Sequence, residues 1–506
     1  MKAGRSWAIV LVIACMITSS LLLLPGCGQE QDEGDGEEGL RIEELEVTVE
    51  ADPENETLDM TAFIHIRRDS SIEECSFAFI EPTEVNRIYD VGSDRELDYE
   101  IDATPYAERG VYGLSIDLGE CGEECTVGLT YRYDGQSFYA EDLNPSAAEN
   151  LVLGQVTADS IYSSHLYYYP YCLGLAERAT MRIVVPRGWV GLSSGNLVCN
   201  EDLQDGKTLY EYEIPFSSGR LPYPLAIFPY RVTETMYEDR LPVMIYSSGE
   251  DVPYAEEKLE LITAQILPFL EEIMGPFPFD NLRIVEVFPV QGTTGLATKS
   301  LVMLSRETWF GAPIDGDYSR VPAIVLVDEI AHQWNYYKVM FPNYLAEGIS
   351  QYTTDLFMER YVDPGILAEN MESYRQSYAE IADLLNLLKS HKDSGETMEE
   401  ASAQLNMSVE EIEPYWQYAD YGEVPITDPD VYLPLYFIKG ALAIDALREE
   451  LGDETFFAGF RRLFSQGLDE EVTLEYFREC FESESGVSLD DFFRLWYLET
   501  GLPPGQ

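Results

Sequence analysis

The chain has little positive charge. Lysine and arginine number 32 against 92 aspartate and glutamate in 506 residues, a formal net charge of −60, and only eight residues are lysine. Such a surface repels polyphosphate and anionic lipid, which excludes nucleic acid as a partner and a negatively charged bilayer as an electrostatic dock. Histidine is also scarce: His65, His165, His332 and His391 are the whole set. Cysteine is present, but not as the paired C-x-x-C of a zinc ribbon. The spacing of Cys121 and Cys125 in "CGEEC" is longer, and no matching pair follows. No internal repeat is visible. The hydrophobic share of 45% excludes a disordered chain.

The surplus of acid reads first as a solvated surface and second as a cation-binding one. The N-terminus reads as an address. Lys2 and Arg5 precede an apolar stretch from Trp7 to Pro25, followed by Leu24-Pro25-Gly26-Cys27. This resembles a bacterial lipobox with Cys27 as the lipidated residue; an uncleaved signal anchor is the alternative. Either tethers the remainder outside the cytoplasm. Six further cysteines, Cys75, Cys121, Cys125, Cys172, Cys199 and Cys480, form an even set in an oxidising compartment. Cys121 and Cys125 are placed to close a small loop, and Cys172 and Cys199 flank one β-like segment.

The length suggests two to three domains. Residues 1–27 are the signal peptide and 28–40 an acidic linker. Residues 41–238 alternate in a β pattern. "LEVTVEADPENETLDMTAFIHIRR" reads as a hairpin, and "ATMRIVVPRGWVGLSSGNLV" and "LYEYEIPFS" as further strands of an antiparallel sandwich or saddle. From 239 the period changes. "DVPYAEEKLELITAQILPFLEEIMG" is helical up to Gly275, "NLRIVEVF" is a strand, and "VPAIVLVDEIAHQWNYYKV" is a helix. Residues 391–506 read as a helical subdomain. Within it, 393–430 is acidic and turn-rich, the mark of a mobile excursion. The fold class is α+β and multidomain.

One helix carries chemistry. Asp328-Glu329-Ile330-Ala331-His332 places Asp328 and His332 at i and i+4, on one helical face. In H-E-x-x-H the two end residues hold a metal and the glutamate activates water. Here the candidate ligands are Asp328, His332 and, from "YLAEGISQY", Glu347; Glu329 is the candidate general base. His65 in a hairpin, His165 in "SSHLYYYPY" and His391 at a helix end read as structural or solvated.

"DEIAHQW" with "YLAEGISQY" resembles the paired signature of gluzincin metallopeptidases of the membrane alanyl aminopeptidase family. The resemblance continues in "YYYPYCLGLAERATMRIVVPRGWVGLSSGNLV", "MGPFPFDNLRIVEVF", "IKGALAIDALREELGDETFFAGFRRLF" and "SLDDFFRLWYLETGLP". It implies an N-terminal β domain, a thermolysin-like mixed α/β subdomain over 239–390 and a helical subdomain. It also implies zinc and a peptide substrate.

The sequence departs from the family in four places. The leading metal histidine is Asp328, which reaches roughly 2 Å less far than an imidazole Nε2. One imidazole and two carboxylates make a harder site, tilted from Zn²⁺ toward Mn²⁺, Ca²⁺ or Mg²⁺. Fourteen residues separate His332 from Glu347, about four fewer than in the family, or one helical turn. The family's oxyanion tyrosine is Phe437, two residues before Lys439-Gly440, and losing one such donor typically costs about 10²–10³ in rate. Tyr436 beside it points about 100° away on a helix. Finally, the stretch that binds a peptide's amine contains Gly292, Thr293, Thr294 and Gly295 and lacks its glutamate. Its strand remains able to take a peptide by β-addition. The helical-repeat domain of many relatives has no counterpart here, which implies a more open cleft.

Three readings follow. The first is a membrane-tethered extracytoplasmic member of this fold with a peptide-binding cleft and lost or weakened peptidase activity. The second is a working metallopeptidase with an Asp-His-Glu site. The third is a structural cell-surface protein.

Overall fold

A computed structural model describes residues 39–80, 82–103, 111–135, 137–139, 152–163, 168–170, 178–215, 223–247, 255–287, 295–305, 320–428, 431–432, 434–465 and 468–503. Cys27, His165, Cys172, Gly292, Thr293 and Thr294 lie outside these residues. Among the described residues no helix is long and apolar enough to cross a membrane. The chain forms two compact units. One comprises 39–259 and 279–305, the other 260–278 and 320–503. The expected α+β order, sheets first and helices after, is what the chain adopts.

The first unit is built on the predicted hairpin. Leu40–Asp52 and Thr57–Arg68 pair antiparallel from Leu40 opposite Arg68 to Asp52 opposite Thr57. The Asp52 side chain accepts the Asn55 backbone N–H, and Glu56 takes a left-handed conformation with φ 55° to close the turn. These strands sit inside an eight-stranded sheet. Its order is Asn196–Asp202, Lys207–Pro215, Arg178–Pro186, Leu40–Asp52, Thr57–Arg68, Glu124–Asp134, Glu84–Asp90, Arg95–Glu96. The pairing of Leu40–Asp52 with Arg178–Pro186 is parallel; the other pairs are antiparallel. Alternation reports which face is buried and not strand direction, so the sequence did not reveal this one pair. Val47, Val49, Met60, Ile64, Leu129, Met181 and Ile183 are buried in its core. Polar residues of the same strands form ion pairs. Arg182 reaches Glu46 and Glu211 at 2.6 Å each, and His65 Nε2 lies 3.2 Å from Glu46. His65 is therefore part of this ladder.

A five-stranded sheet follows, ordered Arg231–Tyr237, Leu241–Ser247, Leu282–Val287, Leu301–Ser305, Gly295–Thr298. Its three central strands are parallel. Leu282–Val287 is buried at every position, the pattern of a parallel strand covered on both faces. Gly295 opens the outermost strand.

The cysteine expectation is corrected among the described residues. Cys121 and Cys125, placed to close a small loop, are both free thiols, as are Cys199 and Cys480. Burial pushes the Cys121 thiol up, and pushes the Cys125 thiol up to about 12.

The helix predicted to end at Gly275 does so, in three pieces. They are α1 (Ala255–Leu261), a wide π-turn at Ile262–Ile266, and α2 (Leu267–Met274), stopped by Gly275 at φ 84°. The wide turn directly precedes Pro268, which has no N–H to donate. The second unit then runs through α3 (Arg320–Asn335), α4 (Asn343–Tyr361) and the 28-residue α5 (Ile366–Asp393). Next come α6 (Met398–Leu405), α7 (Val409–Trp416), α8 (Pro434–Leu451), α9 (Asp453–Leu463), α10 (Leu474–Ser485) and α11 (Asp490–Phe493). The stretch expected as a mobile excursion is folded instead. Thr397 and Glu400 form a capping box that starts α6, and Leu388, Ala401, Ile412 and Ala419 form a small core of their own. Its acidic composition concealed a few well-spaced apolar residues. His391 lies 2.6 Å from Glu396 at the end of α5.

Within this unit α4 and α8 meet backbone to backbone. A Cβ on Gly348 would stand 2.7 Å from Gly440 Cα, and one on Gly440 would stand 2.8 Å from Gly348 Cα. Only two facing glycines permit that backbone contact. Gly348→Ala or Gly440→Ala is expected to destabilise the protein by about 2 kcal/mol or more, because rigid backbone must move. Gly365→Ala, whose Cβ meets only an ordinary 3.7 Å contact with Asp363, should stay within about 0.5 kcal/mol. Denaturant unfolding of the three variants checks this; equal losses would show that the helix contact tolerates a methyl group.

Candidate metal centre

The candidate residues lie on α3 and α4. From 325 to 335 every residue of α3 is buried, so its polar side chains are held inside the second unit. Trp334 anchors the helix. Its Nε1 donates to the Gly275 carbonyl at 3.1 Å, and its ring meets Phe277 edge-on at 5.3 Å. Two stretches far apart in sequence, "MGPFPF" and "DEIAHQW", thus pack on each other.

Asp328, His332 and Glu347 come together. Asp328 Oδ2 lies 3.6 Å from His332 Nε2, and Glu347 Oε2 lies 3.8 Å from the same nitrogen. All three are about 5% exposed or less, and Glu329 is 2% exposed. The shorter aspartate still reaches the imidazole. Glu347 is the fifth residue of α4, which begins at Asn343. Asp328 Oδ1 is buried with no hydrogen-bond partner.

The other imidazole nitrogen settles the tautomer. Asn335 Nδ2 donates to the Ala346 carbonyl at 3.0 Å and to Ser350 Oγ at 2.8 Å. Both amide hydrogens are thereby used, and Asn335 Oδ1 faces His332 Nδ1 at 3.0 Å as an acceptor. Nδ1 must therefore carry the proton that bonds it, with Ser350 Oγ a further neighbour at 3.2 Å. In neutral His332 the Nε2 lone pair would then face two carboxylates across less than 4 Å. Like charge and lone pairs do not face one another in a buried site unless something positive lies among them. Either a proton on Nε2 or a cation meets that need.

Donors on an ideal tetrahedral ion with bonds near 2.0 Å stand about 3.3 Å apart. The two separations from His332 exceed this by a few tenths of an ångström. Among the described residues no three His, Cys, Asp or Glu side chains close on one point as a finished cage. The contacts are pairwise, hinged on His332. The donor types and the orphaned Asp328 oxygen fit a divalent cation, and closing the cage requires a small adjustment of the carboxylates.

Burial pushes the His332 imidazole down. The hydrogen bond and charge of Asp328, with the charges of Glu347 and Glu329, outweigh it and push the group up to about 10. That direction favours a proton on Nε2, between the carboxylates, when no cation is there.

Tyr436 and Phe437 are both buried in α8. They precede Gly440 by four and three residues, so both flank the line of α8 that crosses α4. Gly295 belongs to the other unit. The sequence reading missed the supporting residues Asn335, Ser350 and Tyr336. The available signal was helical spacing: Asn335 and Tyr336 stand three and four residues after His332, and Ser350 three after Glu347.

The whole fold is that of the two-domain M1 zinc metallopeptidases, known from solved structures. An M1 zinc metallopeptidase from Deinococcus radiodurans bound to a Tyr-Ser-Ala substrate matches with a TM-score of 0.61 and 16% identity, over 94% of this chain and 98% of that one. A two-domain M1 zinc metallopeptidase bound to L-arginine matches at a TM-score of 0.62 and 16% identity, over 93% and 96%. One bound to L-tryptophan matches at 0.56 and 17%, with the same coverage. No protein-family model matches the chain, and no curated protein matches it by sequence.

A pH dependence follows from His332. Its ordinary value is 6.5 and its folded value about 10, so the stability it contributes is full below pH 6.5 and is lost as pH rises toward 10. Chelator-treated protein is expected to lose roughly 1–2 kcal/mol between pH 6.5 and 8 from this group. Lys439 and Lys258, which burial lowers to about 8, and Asp355, which burial raises to about 7, titrate in the same window in wild type and His332→Gln, so the difference between the two curves isolates His332. Unfolding free energies of wild type and His332→Gln across the window check it; parallel curves would remove the proton from His332.

Proposed function

We propose that the chain is a divalent-metal protein of the M1 peptidase fold that binds peptides and hydrolyses them slowly. The observation that carries this reading is the His332 Nε2 lone pair, fixed by Asn335 so that it faces the carboxylates of Asp328 and Glu347 beside an unpartnered Asp328 oxygen. Asp328, His332 and Glu347 would hold the ion, Zn²⁺ by the chemistry of the fold's known members and Mn²⁺ by the two-carboxylate donor set. A bound dication would polarise a peptide carbonyl and make water more acidic.

The chain's own residues do the remaining work. Glu329, one residue from Asp328 and buried, takes the proton from the attacking water and returns it to the departing amine. Asn335 and Ser350 hold the imidazole. Phe437 has no hydrogen to offer the tetrahedral oxyanion, which is why hydrolysis is slow. The peptide and amino-acid ligands of the structural neighbours support a peptide as partner. We further propose the aminopeptidase family's active-site layout with degenerate positions, and tethering outside the cytoplasm through Cys27.

A second reading has its own support. His332 is pushed up to about 10 and contacts both carboxylates, so an imidazolium can satisfy the site without metal. The protein is then a peptide binder that does not hydrolyse.

Elemental analysis and peptide kinetics on the purified chain separate the two. About one Zn²⁺ or Mn²⁺ per chain is expected, with slow, chelator-sensitive peptide cleavage. Phe437→Tyr should raise kcat by about 10²-fold, the value of one restored oxyanion donor. A chain that takes up neither ion at micromolar concentration and still binds peptide would leave only the second reading.

A further inference from the structure

Tyr336 lies just past the end of α3, four residues after His332. Its hydroxyl is 2.7 Å from Glu347 Oε1 and 3.3 Å from Asn343 Oδ1. Its ring centre stands 4.7 Å from that of His332, tilted by 45°. One residue therefore touches two of the three candidate ligands. A phenol has a single proton, and the shorter contact, to a carboxylate, takes it. The two oxygens of Glu347 are thereby divided: Oε1 is capped by Tyr336, and Oε2 faces His332 Nε2 at 3.8 Å.

We propose that Tyr336 is a positioning residue of the metal centre: its hydroxyl holds Glu347 with one oxygen turned inward, and this raises the affinity of Asp328, His332 and Glu347 for a divalent cation. The inference rests on the metal reading above. A glutamate carboxylate turns readily about its last torsion, and a site that must fix it loses binding free energy in doing so. A donor already bonded to the outer oxygen removes most of that loss. The connection between α3 and α4 is short, and Tyr336 and Asn343 stand at its two ends, so the loop that brings Glu347 close also supplies the group that orients it. Asn335 and Ser350 support the Nδ1 side of His332 and have no contact here with Glu347. The Tyr336 hydroxyl bonds the carboxylate directly, on the oxygen turned away from His332.

Tyr336→Phe tests this, because it keeps the ring against His332 and removes only the hydroxyl. Zn²⁺ alone, and Mn²⁺ alone, are titrated calorimetrically into chelator-stripped wild type and variant, and the thermal midpoint of each metal-free protein is measured. The expected result is an affinity at least about tenfold weaker in the variant, the usual effect of losing a ligand's outer partner, with the metal-free midpoint lowered only by the loss of one hydrogen bond. A hydroxyl that served only the fold would lower the metal-free midpoint and leave affinity alone, which overturns the proposal. Equal affinities in the two proteins also overturn it, while leaving the metal reading standing. Wild type that binds neither ion overturns both.

Discussion

The contact between Gly348 and Gly440 is the constraint on which the second unit depends. Each glycine leaves no room for a β-carbon on the other, so α4 and α8 meet backbone to backbone. Glu347 immediately precedes one of these glycines, and Phe437 precedes the other by less than a turn. The crossing therefore fixes two chemically important positions at once, without a polar interaction. Helix surfaces packed that closely do not slide, so the carboxylate is delivered to His332 by steric fit.

The site thus joins a rigid apolar frame to an unsatisfied polar centre. On one side of His332 the hydrogen bonds are complete: Asn335 spends both its hydrogens and accepts the imidazole proton. On the other side, the carboxylates of Asp328 and Glu347 converge on Nε2, and Asp328 Oδ1 has no hydrogen-bond partner. That asymmetry is the reason a positive species is required and the reason a proton and a dication compete for one place. A fully relaxed structural core would not keep a bare carboxylate oxygen inside. With Asp328 at the start of the pair, anionic donors outnumber the imidazole two to one.

Much of this was readable beforehand, for definable reasons. Helical spacing puts Asp328 and His332 on one face, and the resemblance of "DEIAHQW" and "YLAEGISQY" to a paired metallopeptidase signature implied Glu347 as their partner. The hairpin from Leu40 to Arg68 follows from strict alternation around a turn-rich centre. What lay hidden depended on pairs brought together from different segments. Tyr336 meets Glu347 only because the connection between two helices is short, and Asn335 meets Ser350 only across them. The helices of 393–430 were masked by acidic residues, which outnumber the few apolar positions that build their core. The parallel strand pair was invisible because alternation is the same in either direction.

That parallel pair bears on how the chain assembles. Leu40–Asp52 lies in the middle of its sheet, with the hairpin partner on one flank and Arg178–Pro186 on the other. The Arg178–Glu44 contact across the second flank spans 134 residues. The hairpin can form from local sequence within microseconds, whereas the other edge stays open until the distant strand arrives. Long-range pairing of this kind slows folding. During that interval a central strand rich in valine and leucine presents an unpaired edge. The glutamates that punctuate it, at positions 43, 44, 46 and 50, keep like charge along that edge and discourage two nascent chains from zipping together before the sheet is complete.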